Sequence, residues 1–152
     1  MGTRSIRIEV LFSVLMFGIG VLGQSTKTQS SVIHVDIDGL RSDRGQVLCA
    51  LFSSAADFPK RPEKAVAHDK STILNGHATC QFENIPSGAY AVSVFHDENS
   101  NGKLDTNFIG IPREGVGASN NAKGHFGPPK FSAAAFQHSG SRTTLEITIN
   151  YL

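Results

Sequence analysis

The sequence predicts an all-β chain folded as a Greek-key β-sandwich of about seven strands, and three observations carry that prediction. Short apolar runs alternate with a period of two, turns rich in Gly, Pro and Asn separate them, and no stretch beyond residue 31 sustains a helical period.

The first strand is Val32–Asp38, with Ile33, Val35 and Ile37 on one face and His34, Asp36 and Asp38 on the other. Gly39–Gly45 supplies turn residues, and Gln46–Phe52 is almost continuously apolar, as a central strand covered on both faces requires. Ser53–Lys70 is irregular, broken by Pro59 and Pro62. Ser71–Leu74, the Asn75-Gly76 turn and Ala78–Phe82 read as a hairpin, because Asn-Gly supplies the positive φ angles of a tight turn. After Pro86, Ser87 and Gly88, the run Ala89–His96 sets Tyr90, Val92 and Val94 against Ala91, Ser93 and Phe95, a strand buried on both faces. Ile109–Lys130 is rich in Gly and Pro without core periodicity, so it reads as a long ordered loop or a mobile flap. Phe131–Gln137 suits one helical turn or a short edge strand. The last strand, Thr143–Tyr151, turns Leu145, Ile147, Ile149 and Tyr151 inward.

Upstream, Met1–Gly23 has the parts of a secretory signal peptide: Arg4 and Arg7, an uncharged apolar run Val10–Leu22, and small residues before Gln24. That run is shorter than the roughly 20 residues that cross a bilayer, so the expectation is residues 1–23 as signal, 24–31 as linker and 32–152 as one domain. No Cys follows the apolar run, so no lipid anchor of the bacterial type is expected. The chain would then be exported, to the periplasm, the outer surface or the medium, with no transmembrane span after cleavage.

The chain has 14 basic and 13 acidic residues, and removing Arg4, Arg7 and Glu9 with the signal leaves the two signs equal. With no clustered basic face, neither nucleic acid nor an anionic membrane surface is an expected partner. Cys49 and Cys80 lie in separate strand-like runs, and export exposes them to oxidising conditions. Spacing alone leaves open a disulfide or two buried thiols.

The sharpest chemical signal is HDENSNGKLD. Oxygen-bearing side chains at Asp97, Asn99 and Asn101, then Gly102, the Lys103 carbonyl and Asp105, have the alternation that wraps a chain around Ca²⁺. Phe108 stands where an EF-hand needs a bidentate Glu, so this is not an EF-hand; Glu114, or more weakly Glu98, would complete the shell. Leu104 is expected to anchor the loop to the core, and Asp97→Ala to lower the melting temperature only when calcium is present. The competing reading is a connecting loop whose Asp and Asn side chains bond backbone groups in Asx-turns. A different class of function, a periplasmic metal-dependent hydrolase, would use His96, Asp97 and Glu114. No H-x-H or H-E-x-x-H spacing supports it, and neither Ser87 nor Ser119 lies in a G-x-S-x-G elbow. His34, His68, His77 and His138 are scattered and expected to be exposed. Gly110–Asn121, GIPREGVGASNN, either cups an anion or carbohydrate or covers a sheet edge.

The segment Phe82–Asn121, FENIPSGAYAVSVFHDENSNGKLDTNFIGIPREGVGASNN, closely resembles an uncharacterised exported bacterial family, domain of unknown function 2141. The resemblance extends through RSDRGQVLCALF, PPKFSAAAF and EITINYL, and so spans about Val32–Leu152. It implies an immunoglobulin-like or transthyretin-like sandwich, a periplasmic or outer-surface location, and no catalytic residues to carry over. FENIPSGAYAVSV is also similar to the strand pair of transthyretin-like and carboxypeptidase-regulatory domains. The hydroxyisourate hydrolases on that fold require a C-terminal Tyr-Arg-Gly-Ser, whereas this chain ends INYL. Intradiol dioxygenases need two Tyr and two His on iron, and Tyr90 and Tyr151 both fall on inward faces. The sequence thus predicts a non-enzymatic binding or structural module with a Ca²⁺-type loop, its partner a surface ligand or an envelope component.

Overall fold

The computed structural model describes residues 31–152, folded as a β-sandwich of eight strands. The expected signal peptide and nearly all of the expected linker lie outside the described residues. One sheet has three strands, β1 (Val32–Asp38) in the middle, β4 (Ala78–Glu83) antiparallel on one side and β8 (Arg142–Thr148) parallel on the other. The second sheet runs β3 (Ala67–Ser71), β2 (Gln46–Phe52), β5 (Gly88–Asp97), β6 (Val116–Ala118). A last short strand, β7 (Phe136–His138), shares the same edge of β5 as β6, pairing with Gly88–Tyr90 while β6 pairs with Ser93–Phe95.

The period-two alternation explains the layering. Ile33, Val35 and Ile37 of β1, Cys80 and Phe82 of β4 and Ile147 of β8 meet Val47, Cys49 and Leu51 of β2 and Val92 and Val94 of β5 in one core. A second cluster forms on the opposite face of the larger sheet, where Phe58, Ala118 and Ala134 cover Ala50, Phe52 and Ala91. That covering is why β2 and β5 read as apolar on both faces. Cys49 and Cys80 form a disulfide across the two sheets, with Cα atoms 6.6 Å apart.

Three local expectations are corrected. The Asn75-Gly76 turn is present, with φ of 54° and 77°, and Leu74 bridges His77, but the arms part at once: β3 pairs with β2, and β4 with β1 in the other sheet. Strand β3 begins at Ala67, inside the stretch read as irregular, because its half-polar sequence AHDKS suits an edge and carries no apolar signal. The Gly-rich stretch 109–130 is not uniformly loop: Val116–Ala118 joins the sheet and a short 3-10 turn follows at Ser119–Asn121. Phe131–Gln137 contributes both alternatives in succession, a single helical turn α1 (Phe131–Ala134) and then β7.

Strands β2 and β5 are antiparallel, with Gln46 opposite Asp97. The start of β2, the end of β5 and the chain leaving β8 therefore converge at one end of the sandwich. Gly45 makes the approach possible: its φ is +76°, and a Cβ there would run into the Asp97 carbonyl.

Candidate functional site

At that end the chain leaves β5 through Asp97, whose side chain is fully buried. Its carboxylate accepts three hydrogen bonds, from Gln46 Nε2 (2.8 Å), the Asn101 N–H (3.0 Å) and the Gly102 N–H (2.9 Å). Two Asx-turns, each bonding the backbone two residues on, follow within that span. Asn99 Oδ1 accepts the Asn101 N–H at 3.0 Å, and Asn101 Oδ1 accepts the Lys103 N–H at 2.8 Å. Together with the Asp97 bonds, these Asx-turns curl the chain and engage a side-chain oxygen at every second residue, Asp97, Asn99 and Asn101. Gly102, at φ +76° and with open space where a Cβ would sit, makes the sharp bend. Asp105 closes the curl, its carboxylate accepting from Asn99 Nδ2 (2.7 Å) and Asn101 Nδ2 (3.2 Å).

Glu114, 4% exposed, clips the loop from below. Its two oxygens accept the N–H of Glu98 and of Asp105, each at 2.9 Å, tying both ends of the curl to one carboxylate. The charge is thereby met by two backbone donors, which makes burial tolerable.

His96 sits beneath the loop in a chain of bonds that one tautomer of the neutral ring satisfies. The Arg44 carbonyl can only accept, so His96 Nε2–H donates to it (2.7 Å), and Nδ1 accepts from the Tyr151 hydroxyl (2.7 Å). Tyr151 Oη in turn accepts the Arg41 N–H at 3.0 Å. The Arg41 side chain lies over the Tyr151 ring, 4.4 Å from its centroid, and forks onto Glu98 through Nε (2.5 Å) and Nη2 (2.8 Å). That fork holds the Glu98 carboxyl below its usual range and the Arg41 guanidinium above its own. Burial, reinforced by Glu98, raises the Tyr151 phenol. Arg41, Arg44, Arg113, Glu98, Asp105 and Glu114 surround a polar cleft of about 440 Å³ beside the loop.

The structure therefore brings Asp97, Asn99, Asn101, Lys103, Asp105 and Glu114 into one locality, with Glu98 at its rim. It does not assemble His96, Asp97 and Glu114 into a reactive group. Both His96 nitrogens are engaged elsewhere, and among the described residues no three His, Cys, Asp or Glu side chains are grouped to hold a metal ion. A cation in the curl would rely on two carboxylates, amide and backbone carbonyl oxygens, and water.

Leu104 is 37% exposed and anchors nothing, because Glu114 and Asp97 fix the loop by hydrogen bonds. His138, expected at the surface, is 2% exposed, with Ser31 Oγ and the Ile85 carbonyl around Nε2 and Thr143 Oγ1 at Nδ1. Gln46, Arg41 and Tyr151 join the site over long sequence separations that no local pattern marks; the only available sign was that Tyr151 ends an inward-facing alternation.

A family model described as an uncharacterized protein conserved in bacteria (DUF2141) matches residues 35–146. No match is found among curated proteins or among solved structures. Among the described residues no helix is long and apolar enough to cross a membrane.

Proposed function

We propose that this chain, which belongs to the DUF2141 family of uncharacterized proteins conserved in bacteria, is an exported, non-catalytic binding or structural module whose 97–105 loop takes Ca²⁺. One observation carries the reading. Side-chain oxygens at the first, third and fifth positions of the loop each accept backbone N–H groups within it, a glycine at positive φ follows, and the Asn99 and Asn101 amide nitrogens hold the Asp105 carboxylate against the loop, so that turning over those two amides would set their oxygens beside it. The donors are all oxygen, which suits a hard cation, and each amide oxygen keeps a lone pair after accepting its one N–H. Asp97, Asn99, Asn101, the Lys103 carbonyl and Asp105 would hold the ion. Glu114 supports them by binding the backbone on both sides, with a direct bond or a bridging water as its further role.

With only two carboxylates in the curl, affinity falls in the weak class of extracellular modules, about 10⁻⁴ to 10⁻³ M. The deciding measurement is thermal unfolding in EDTA, then in millimolar Ca²⁺, then in Mg²⁺. Saturating the site tenfold over its dissociation constant stabilises by about 1.4 kcal/mol, a rise of several degrees. Asp105→Asn should abolish the calcium-specific rise while changing the melting temperature in EDTA little. If the wild type melts identically in EDTA and Ca²⁺, the loop is a hydrogen-bonded turn without an ion.

A further inference from the structure

Residues 105–113 form a small hairpin that projects beyond the curl. Arg113 N–H donates to the Asp105 carbonyl (2.9 Å), Thr106 bridges Pro112, and Asn107 N–H donates to the Ile111 carbonyl (2.8 Å). Asn107 then locks the tip: its carbonyl accepts the Gly110 N–H at 3.0 Å, and its Oδ1 accepts those of Ile109 (3.0 Å) and Ile111 (2.9 Å). This well-bonded turn holds its apolar side chains in solvent. Phe108 is 98% exposed, Ile109 65% and Ile111 40%. Isolated exposed apolar residues are ordinary, but three within four positions on a fixed turn are a presented surface.

The charges behind the tip indicate what that surface meets. Arg41 is neutralised by Glu98, whereas Arg44, Lys103 and Arg113 make no ion pair among the described residues. Arg44 and Arg113 line the cleft at the base of the hairpin. Asp97, Asp105 and Glu114 equal these cations in number but lie deeper, Asp97 and Glu114 buried on backbone N–H groups and Asp105 half-buried on the Asn99 and Asn101 amides, whereas Arg44, Lys103 and Arg113 are exposed.

We propose that the Phe108–Ile111 tip docks on a lipid bilayer whose surface carries anionic phosphate headgroups, the apolar side chains entering the interface while Arg44, Lys103 and Arg113 meet the phosphates. A convex tip needs no preformed groove in its partner, only a yielding apolar layer beneath an anionic one, which is the make-up of such a membrane surface. The inference is independent of the calcium reading.

The chain contains no tryptophan, so Phe108→Trp places a single reporter at the tip. The full-length variant is titrated, in EDTA, with vesicles of phosphatidylcholine alone or mixed with phosphatidylglycerol, with brominated acyl chains as quenchers. The expected result is a blue shift and bromine quenching with the anionic vesicles. Val66→Trp, at the opposite end of the sandwich, should remain in water even where another part of the chain holds the protein on the vesicle. Ile109→Ser in the reporter background should weaken the response roughly tenfold. Arg44→Gln or Arg113→Gln should each weaken it roughly fivefold, and added salt should weaken it further. An indole that stays water-like with both vesicles overturns the proposal. So does a blue shift that appears without lipid and grows with protein concentration, which would make the tip a contact between copies of the chain.

Discussion

Replacing Asp97 by Ala tests how far the loop holds itself. The carboxylate is fully buried and accepts from Gln46 Nε2, Asn101 N–H and Gly102 N–H. Asn101 N–H keeps a second acceptor in Asn99 Oδ1, so truncation strands two donors, one of them the half-buried Gln46 amide. Hydrogen bonds to a charged acceptor contribute about 1.5 to 3 kcal/mol each, and the exposed Gly102 N–H recovers part of its loss to water. The expected cost is therefore about 3 kcal/mol, a fall of roughly 10 °C for a domain of this size. The assay is urea and thermal unfolding of the wild type and Asp97→Ala, both in EDTA. This departs from the expectation that Asp97→Ala acts only in the presence of calcium, because that expectation ignored the three bonds made without an ion. A loss below about 1 kcal/mol in chelator would show that water replaces the carboxylate freely, and the account of a self-supporting curl would fail.

Removing the disulfide with Cys49→Ala and Cys80→Ala together should cost about 3 to 4 kcal/mol from the loop-closure entropy of a 31-residue separation, read from urea midpoints; no change would mean that the unfolded chain is already restricted there. Tyr151→Phe deprives buried His96 Nδ1 and the Arg41 N–H of their partner and should cost about 1 to 3 kcal/mol at neutral pH. Because the folded Tyr151 phenol is raised above 10.0, the wild type carries a contribution that is full below the unfolded value and lost as pH climbs through the folded one. The two stability curves should therefore converge at high pH. Glu98, lowered from 4.5 chiefly by its bonds to Arg41, contributes above the unfolded value and loses that contribution as pH falls through the folded one. Glu98→Gln should melt lower than wild type at neutral pH and match it in strong acid, and a gap that persists there would assign the effect to packing.

Strands β1, β2, β4 and β5 were legible because each buries at least one full face, and β8 because its inward positions Thr143, Leu145 and Ile147 are all at least partly buried; burial imposes the alternation that periodicity detects. The strands that were missed, β3 and β6, are short edges in which backbone pairing does the organising. VGA and AHDKS contain too little apolar contrast to show a period. The site divides along the same line. The Asp97, Asn99, Asn101, Gly102 spacing is local and could be read directly. The Glu114 clip rests on a hairpin whose turn is set by Asn107, and the Tyr151 relay closes over 110 residues from Arg41, a proximity created only when β1 and β8 pair in parallel.

The bonding of the loop also bears on what calcium would be for. An EF-hand that gains much of its order from the ion leaves its carboxylates unpaired until the ion arrives, but here Asp97, Asp105 and Glu114 are already occupied by N–H donors. Binding can therefore change the shape little. It would instead cancel negative charge at the base of the 105–113 hairpin, beside Arg44 and Arg113. If both proposed sites exist, the ion should tighten attachment to anionic vesicles by electrostatics without altering how deeply the tip sits. With the Phe108→Trp reporter, Ca²⁺ should shift the titration midpoint while leaving the saturating emission wavelength where it was. A changed plateau would mean that the ion rebuilds the hairpin, which a loop already this fully bonded should not permit.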